Sequence, residues 1–276
     1  MKSDAQALYQ LGRDASARGD AQKAVEYFEK AVALKPNSAD YHHQLGNAYG
    51  QAGAAAGMFG AMPMAKKARA EWERAVQLDP NFMPARFALI DFHLQAPAVL
   101  GGSTSAAIEQ ATELRKRDLV DGHRAFARVH TAAKKPDLVR KEYEDLLKEL
   151  PASARARYFV GVYQMLTEKN YTSAGAEFES VVKLDPAYMP GYFQIGHVAA
   201  LASTNFTRGE EALKKYFSYT PKDEEPSIAR AHFWLGSIYE KQGKKAEAKA
   251  SYEASLKINP TQKDAAEAMK RVTTPA

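Results

Sequence analysis

The sequence predicts an all-α fold, a right-handed α-solenoid of about seven helical hairpins that ends in a capping helix. The first observation behind this prediction is a recurring pattern: a Leu-Gly pair, an alanine, an aromatic residue and a closing proline. The second is its period, because Gly12 of one copy and Gly46 of the next are 34 residues apart. A fixed period of this length indicates stacked helical repeats, each packed on its neighbours. The pattern is clearest over 11–36, 45–80 and 235–260.

Each hairpin can be justified from its small residues, turn signals and prolines. The glycine and the alanine lie where the two helices of a hairpin cross closely, and the proline ends the second helix because it lacks an N–H. In the first hairpin, over 5–38, Arg18-Gly19-Asp20 signals the turn. The following hairpins begin near residues 39, 83, 120, 154, 189 and 229, and 261–272 is the predicted polar-faced capping helix.

Two insertions, at 51–65 and 95–106, interrupt the regular spacing. Both lie between the helices of a hairpin, in adjacent hairpins, so we expect them to be neighbours. Both are apolar, which is unusual for connections. Either the helices are longer here and pack these residues together, or the insertions form a lid or docking surface for an apolar partner. Ser103 or Ser105 is expected to cap the next helix. The apolar residues are Met58, Phe59, Met62, Met64, Val99 and Leu100.

Composition limits the function as well as the fold. The 276 residues carry a net charge of +5 without a block of like charge, so we expect no nucleic-acid binding. There is no cysteine, which excludes disulfides, thiol catalysis and cysteine-type zinc sites. No apolar run is long enough to span a membrane. Because solenoid repeats pack only on their neighbours, we expect a single domain over 1–276.

The 34-residue pattern resembles the tetratricopeptide repeat (TPR) family, whose repeat is a pair of antiparallel helices, and the resemblance covers nearly the whole chain. In this family the concave face is lined by the fifth, ninth and twelfth positions of the first helix of each hairpin. The resemblance therefore implies a binding groove formed by Tyr9, Arg13, His43, Asn47, Phe87, Asp91, Arg124, Arg128, Tyr158, Phe193, His197 and Phe233.

The second insertion carries a narrower resemblance. Ala96-Pro97 and Gly101-Gly102 are similar to an Ala-Pro, then Gly-Gly insertion found in a group of bacterial TPR proteins that are commonly exported. More loosely, the architecture is similar to the TPR lipoproteins that accompany certain periplasmic solute transporters. These resemblances imply a periplasmic protein if Met1 replaces a removed signal peptide, and a cytoplasmic one otherwise.

The predicted groove residues allow two interpretations. Aromatic residues at most of the fifth positions favour an amphipathic helix, an extended peptide with apolar anchors or a lipid-like ligand. Alternatively, these rings only fill space between helices. Arg124 and Arg128 lie four residues apart on one helix face, where they either receive a carboxylate or phosphate of the ligand or form a solvated pair.

The histidines are expected to be structural. His42, His123 and His232 fall at the fourth position of their hairpins, where a side chain packs inside the hairpin. His123 and His130 are seven residues apart on one face, but no carboxylate is apparent beside them, so no metal site is expected. No arrangement of titratable residues predicts catalysis, and no cofactor is expected.

The sequence therefore predicts a non-catalytic scaffold that binds a protein or peptide partner in its groove. The alternative is a carrier or transport-accessory protein that holds a hydrophobic small molecule or lipid in an apolar pocket near the insertions. The apolar insertions also favour self-association into a homo-oligomer.

Overall fold

The described part of the chain is almost entirely helical. In the computed structural model, the structure describes residues 4–222 and 225–273. These residues form fifteen α-helices and one short 3-10 helix, with no strand among them, which confirms the predicted all-α fold. In chain order the α-helices are α1 (Ala5–Ala17), α2 (Ala21–Leu34), α3 (Ala39–Ala55), α4 (Gly57–Leu78), α5 (Met83–Gln95), α6 (Thr104–Arg117), α7 (Leu119–Ala132), α8 (Pro136–Glu149), α9 (Ala154–Leu166), α10 (Tyr171–Leu184), α11 (Met189–Ala202), α12 (Phe206–Tyr216), α13 (Ile228–Lys241), α14 (Lys245–Ile258) and α15 (Lys263–Thr273).

These helices pair into seven consecutive hairpins, and α15 follows the last one. The pairs run from α1 with α2 to α13 with α14. In the fourth pair, α7 meets α8 through the contact of His123 with Glu142. First helices also pack on the second helix of the hairpin before them, as α3 does on α2 and α11 does on α10. The number of hairpins and the capping helix agree with the prediction.

Backbone contacts divide the chain into two compact units, Met1–Glu144 (unit 1) and Asp145–Ala276 (unit 2). The boundary falls inside α8. Each unit has hydrophobic clusters of its own, such as the one around Phe28 in unit 1 and the one around Phe178 in unit 2. The expectation of a single domain over 1–276 stays a prediction.

Polar side chains and a glycine explain where helices begin and end. Asp20 accepts a hydrogen bond from the backbone N–H of Lys23 at 3.2 Å, which satisfies an N–H that no helical partner reaches. Ser103 does the same for Ala106 at 3.2 Å, so of the two predicted caps it is Ser103 that starts α6. The turn after α1 passes through Gly19 at φ +77°, a conformation that glycine adopts without strain.

In the first two hairpins of unit 1, an aromatic ring of the second helix packs against a glycine of the first helix. Phe28 of α2 packs its ring against Gly12 of α1 and is 1% exposed. In the next hairpin the indole of Trp72 takes the same place against Gly46, where a Cβ would meet Nε1 at 2.6 Å. Burying a ring of this size stabilises the fold by roughly 1.5–3 kcal/mol. The prediction of small residues where the helices cross is therefore confirmed.

Aromatic rings hold the same positions in the first and last hairpins of unit 2, whereas Leu213 lies against Gly196 in the hairpin between them. Phe178 and Tyr252 are fully buried against Gly161 and Gly236. The hydroxyl of Tyr252 donates to Glu240 at 2.6 Å, so the polar end of this buried ring has a partner. Burial and this carboxylate both raise the pKa of Tyr252, which keeps the phenol protonated.

The first insertion is helical, which corrects the predicted connection at 51–65. Only Ala56 separates α3 from α4, so the interpretation of longer helices holds here. Alanine is the strongest helix former, and this segment is rich in it. Pro63 lies inside α4 and removes one backbone hydrogen bond from it. Although α4 has 22 residues, no described helix combines the length and apolarity that crossing a membrane takes.

The second insertion is a true connection between α5 and α6. It contains the 3-10 helix Ala98–Leu100 and then turns at Gly101, where φ is +94°. The carbonyl of Gly101 accepts from Nδ1 of His93 at 3.0 Å, which fixes the turn to α5. A side chain at Gly101 would collide with Arg69 of α4. Because α4 lies against the 3-10 helix, the two insertions are neighbours, as the sequence predicts.

Candidate binding site

Two predicted groove residues, His43 and Asn47, lie one turn apart on α3. The amide Nδ2 of Asn47 donates to Nε2 of His43 over 3.3 Å, and its Oδ1 accepts from the indole of Trp72 at 3.0 Å. Both contacts hold Asn47 in one orientation. Burial lowers the pKa of His43 to about 4, so its ring is neutral at pH 7. A polar contact thus joins α3 to α4 at the wall of the site.

A cavity of about 440 Å³ opens beside Asn47 in unit 1. Its exposed lining is mainly apolar, and it lies where the predicted groove meets the second insertion. Asn47 and Asp91 come from the groove prediction, and Leu100 comes from the insertion prediction. The full lining is Asn47, Ala65, Trp72, Ala88, Asp91, Phe92, Gln95, Ala96 and Leu100.

Beside the cavity, α5 and α7 bring four predicted groove residues into one cluster. The guanidinium carbons of Arg124 and Arg128 lie 4.9 and 4.6 Å from the ring centroid of Phe87, in cation–π contact. Arg128 binds the carboxylate of Asp91, and Arg124 donates to Asp121 at 2.6 Å. Both arginines therefore already hold carboxylates of the protein itself.

In unit 2, Gln194 joins two predicted groove residues, and the sequence analysis did not single it out. Its amide donates to the hydroxyl of Tyr158 at 3.2 Å, and its Oε1 lies 3.1 Å from Nδ1 of His197. The His197 ring stacks on Trp234 with centroids 4.0 Å apart. Burial, with a smaller contribution from Arg230, lowers the pKa of His197 to about 4. Neutral His197 therefore donates through Nδ1 to Gln194.

Four of the twelve predicted groove residues pack in the core and are at most 9% exposed: Tyr9, His43, Phe193 and Phe233. The rings of Tyr9, Phe193 and Phe233 contact aromatic residues of second helices, at 5.5 to 5.8 Å between centroids. For these positions the structure favours the interpretation that the rings fill space between helices. Arg13 is partly buried on α1, one turn from Tyr9.

The apolar residues of the insertions differ in their surroundings. Leu100 lines the cavity, and Met64 packs on the core of the first two hairpins. Met62 is 40% exposed, and Val99, next to Leu100, is 77% exposed. The side chains of Met58 and Phe59 lie outside the described part of the structure.

Of the three histidines at the fourth position, His42 and His123 are buried, and His232 is partly buried and stacks on Phe217. One expectation about the histidines is corrected. The sequence analysis found no carboxylate beside His123 and His130, but Oε2 of Glu142 is 2.7 Å from Nδ1 of His123, and its Oε1 is 3.5 Å from Nε2 of His130. It was missed because α8 brings it from later in the chain. Arg115 also binds Glu142 and places a positive charge there. Across the described residues, no group of three or more metal-ligating side chains is placed to hold an ion.

Much of the cavity wall was missed by sequence reasoning. Trp72 is the aromatic residue of the second copy of the repeated pattern, a position that was not counted as part of the groove. Ala88 and Phe92 directly follow Phe87 and Asp91, the fifth and ninth positions that were counted. A search of the whole helix face, on which residues three and four apart are neighbours, would have found Ala88 and Phe92.

A second cavity, of about 380 Å³, lies in unit 2 among α10, α11 and α12. Its lining includes the small residues Gly175, Ala176 and Ala199 and the paired side chains of Arg208 and Glu179. None of the described residues that line it belongs to the predicted groove or insertions.

Models of the tetratricopeptide repeat match three segments of the chain. One, described as a TPR repeat, matches residues 12–53, and two others, described as tetratricopeptide repeats, match 124–188 and 229–262. Together these segments take in about half of the chain.

Solved structures share the fold at low sequence identity. A tetratricopeptide repeat protein from Parabacteroides merdae aligns over 98% of this chain and 99% of its own, with 14% identity and a TM-score of 0.52. Yeast Tom70 aligns over 91% of this chain with 15% identity and a TM-score of 0.56. A human IFIT1 dimer with PPP-AAAA aligns over 92% with 19% identity and a TM-score of 0.56. This chain spans 59% of the length of each of the last two.

Proposed function

The chain belongs to the tetratricopeptide repeat family, whose members generally act as non-catalytic scaffolds for protein–protein interaction, and we propose that unit 1 binds a peptide segment of a partner protein. The binding surface in this proposal is the face that α3, α5 and α7 present, and it includes the cavity beside Asn47.

The observation that carries this proposal is the apolar cavity with polar groups at its edge. Binding energy in protein interfaces is concentrated where an apolar anchor fills a pocket of the partner, and this cavity offers such a pocket. Asn47 is held in place by Trp72 and His43, so its amide is oriented before a ligand arrives. The side chain of Asp91 is 42% exposed and can accept a backbone N–H of the bound segment.

The pair of Arg128 with Asp91 makes the surface continuous, because it links the cavity to the Phe87 cluster. The side chain of Arg128 is 39% exposed, and arginine has five donors, so it can hold a carboxylate of the partner as well as Asp91. We therefore propose a segment with an apolar anchor in the cavity and an acidic residue near Arg128.

The titratable groups of this surface support binding rather than catalysis. A catalytic site needs groups placed as acid, base or nucleophile around one pocket. Of the described residues that line the cavity, Asp91 is the one with an acidic or basic side chain, and it is paired with Arg128. His43 is neutral at pH 7, and its Nε2 accepts from Asn47.

A peptide-display selection against the full-length chain tests the proposal. Ala88→Trp fills the cavity from α5, and Ala176→Trp, the matched control, places the same side chain in the cavity of unit 2. We expect selected peptides to share an apolar anchor, to bind wild type and Ala176→Trp alike, and to bind Ala88→Trp about tenfold more weakly. Equal affinity for wild type and Ala88→Trp would exclude the cavity as the anchor site.

A carrier for a hydrophobic small molecule or lipid is the second candidate function. It is supported by the volume of the cavity, which lies within the range of small-molecule sites, and by the insertion residue Leu100 in its wall. Native mass spectrometry of the chain purified from its natural host separates the two candidates. A bound apolar molecule that leaves on denaturation supports the carrier, whereas a co-purified polypeptide supports the scaffold.

A further inference from the structure

A histidine in α3 stands where arginine stands in two other hairpins. The position is six residues after the proline that closes the preceding hairpin, and it holds His42, Arg86 and Arg157. In each case a side-chain nitrogen donates to the carbonyl oxygen of that proline, over 2.9 Å to Pro36, 2.9 Å to Pro80 and 3.1 Å to Pro151. The side chain thereby ties the first helix to the end of the hairpin before it.

A second nitrogen of the same side chain contacts an acceptor on the second helix of its own hairpin. Nη1 of Arg157 donates to Glu177 at 2.8 Å, and Nη1 of Arg86 donates to Gln110 at 2.8 Å. Nδ1 of His42 lies 2.5 Å from Oε2 of Glu71. In these three hairpins the side chain faces two acceptors, and arginine can donate to both at every pH at which proteins stay folded.

His42 donates to both acceptors only while both of its ring nitrogens carry a proton. A neutral ring has one N–H, so it can donate to Glu71 or to the carbonyl of Pro36 but not to both. In either tautomer a bare ring nitrogen would face an oxygen acceptor, 2.5 Å away at Glu71 or 2.9 Å away at Pro36. The side chains of His42 and Glu71 are 9% and 24% exposed, so water replaces the lost contact poorly.

We propose that the His42–Glu71 contact is a proton-dependent bridge that anchors α3 to α4 behind the cavity. Glu71 directly precedes Trp72, which lines the cavity and donates to Asn47. The same two helices are therefore joined by the bridge on one side and by Trp72 with Asn47 on the other. As the pH rises and the ring loses one of its two protons, one of its two contacts is lost and the cavity wall loosens.

The other charged groups close to this part of α3 have partners of their own or lie at a helix end. From α2, Glu29 accepts from Tyr49, and Lys35, directly after α2, lies over the ring of Tyr41. From α4, Lys67 lies over the ring of Tyr49. On α3 itself, Asp40 belongs to the first turn, and His43 is neutral at pH 7. Glu71 is thus the carboxylate that the His42 ring contacts.

Thermal unfolding at pH 6 and pH 8.5 tests the bridge. Trp234→Phe in the full-length chain leaves Trp72, one residue from Glu71, as the sole tryptophan. In this background, raising the pH from 6 to 8.5 should lower the thermal unfolding midpoint of the chain that keeps His42 and Glu71. The decrease should be about 3–5 °C larger than in His42→Arg, because arginine keeps its charge. Glu71→Gln should also remove the dependence, because an amide donates to a neutral ring. Equal shifts in all three chains would overturn the proposal.

Nitrogen-15 NMR of the histidine rings tests the same point in the unaltered chain, and His42→Arg identifies the signals of His42. At pH 6.5 both ring nitrogens of His42 should carry protons. Raising the pH to 8.5 should remove one proton and shift the indole N–H signal of Trp72. A single ring proton on His42 at pH 6.5 would contradict the proposed bridge, whatever the stability of the variants.

Discussion

Replacing His43 by phenylalanine should remove much of the acid sensitivity of unit 1. His43 is 6% exposed, and burial lowers its pKa from 6.5 to about 4. Between these two values the unfolded chain binds a proton that the folded chain excludes. The stability that neutral His43 contributes is therefore fully present above about pH 6.5 and is lost as the pH falls toward 4.

The size of the effect follows from the two pKa values. As the pH falls through both pKa values, the free energy of unfolding decreases by about 3 kcal/mol because of His43. Between pH 7 and pH 5 alone, the decrease is about 2 kcal/mol. Phenylalanine suits the position, because Phe87 and Phe193 hold the fifth position of other hairpins. The variant loses the hydrogen bond from Asn47 but removes Nδ1, which is buried without a hydrogen-bond partner. These opposed changes should keep its stability at pH 7 within about 1 kcal/mol of wild type.

Urea unfolding at pH 7 and pH 5, followed by the fluorescence of Trp72, measures the effect. The chain has two tryptophans, so Trp234→Phe makes Trp72 the reporter of unit 1. From pH 7 to pH 5, the free energy of unfolding should fall by about 2 kcal/mol more in the chain that keeps His43 than in the His43→Phe variant. His197→Phe is the control, because burial lowers the pKa of His197 to about 4 as well, but in unit 2. Equal losses with and without His43 would refute the reasoning.

Two glycine substitutions test the packing around the cavity. Gly46→Ala should destabilise unit 1 by about 1–3 kcal/mol, because its Cβ would meet the indole of Trp72 at 2.6 Å. Urea unfolding measures this decrease in the free energy of unfolding. Gly50→Ala is the control and should cause no such decrease, because its Cβ would lie 3.9 Å from the same ring. Gly101→Ala should lower the thermal midpoint of unit 1, because φ is +94° there and the new Cβ would collide with Arg69. An unchanged midpoint would show that the second connection rearranges freely.

The hairpins were predictable because their determinants are local. The turn at Gly19 and the cap at Ser103 each depend on residues within a few positions. The helical state of 51–65 was not predictable from the sequence, because an alanine-rich segment with scattered glycines suits both a helix and a loop. What decides it is the packing of α3 on α4, where a Cβ at Gly53 would lie 3.1 Å from that of Met64.

The candidate site was predictable only in part. Position within a repeat identifies a helix face, but the neighbouring helices decide whether a side chain is exposed. Thus His43 is buried, whereas Phe87, also at a fifth position, lies under two arginines beside the cavity. Glu71 comes from a second helix, 29 residues after His42, and no pattern in the first helix shows it. One signal for Glu71 was present in the sequence: it directly precedes the aromatic residue of its helix, Trp72, just as Glu177 directly precedes Phe178.

His42 and His43 are neighbours in sequence, yet they give unit 1 opposite dependences on pH. Successive residues of an α-helix point about 100° apart, so His43 turns toward Asn47, while His42 turns toward Pro36 and Glu71. His43 destabilises the fold when a falling pH forces a proton onto it. The His42–Glu71 bridge weakens when a rising pH removes its proton. Both residues position α3 beside Trp72. The cavity wall is therefore most stable in the pH range in which His43 is neutral and the His42–Glu71 bridge is still protonated.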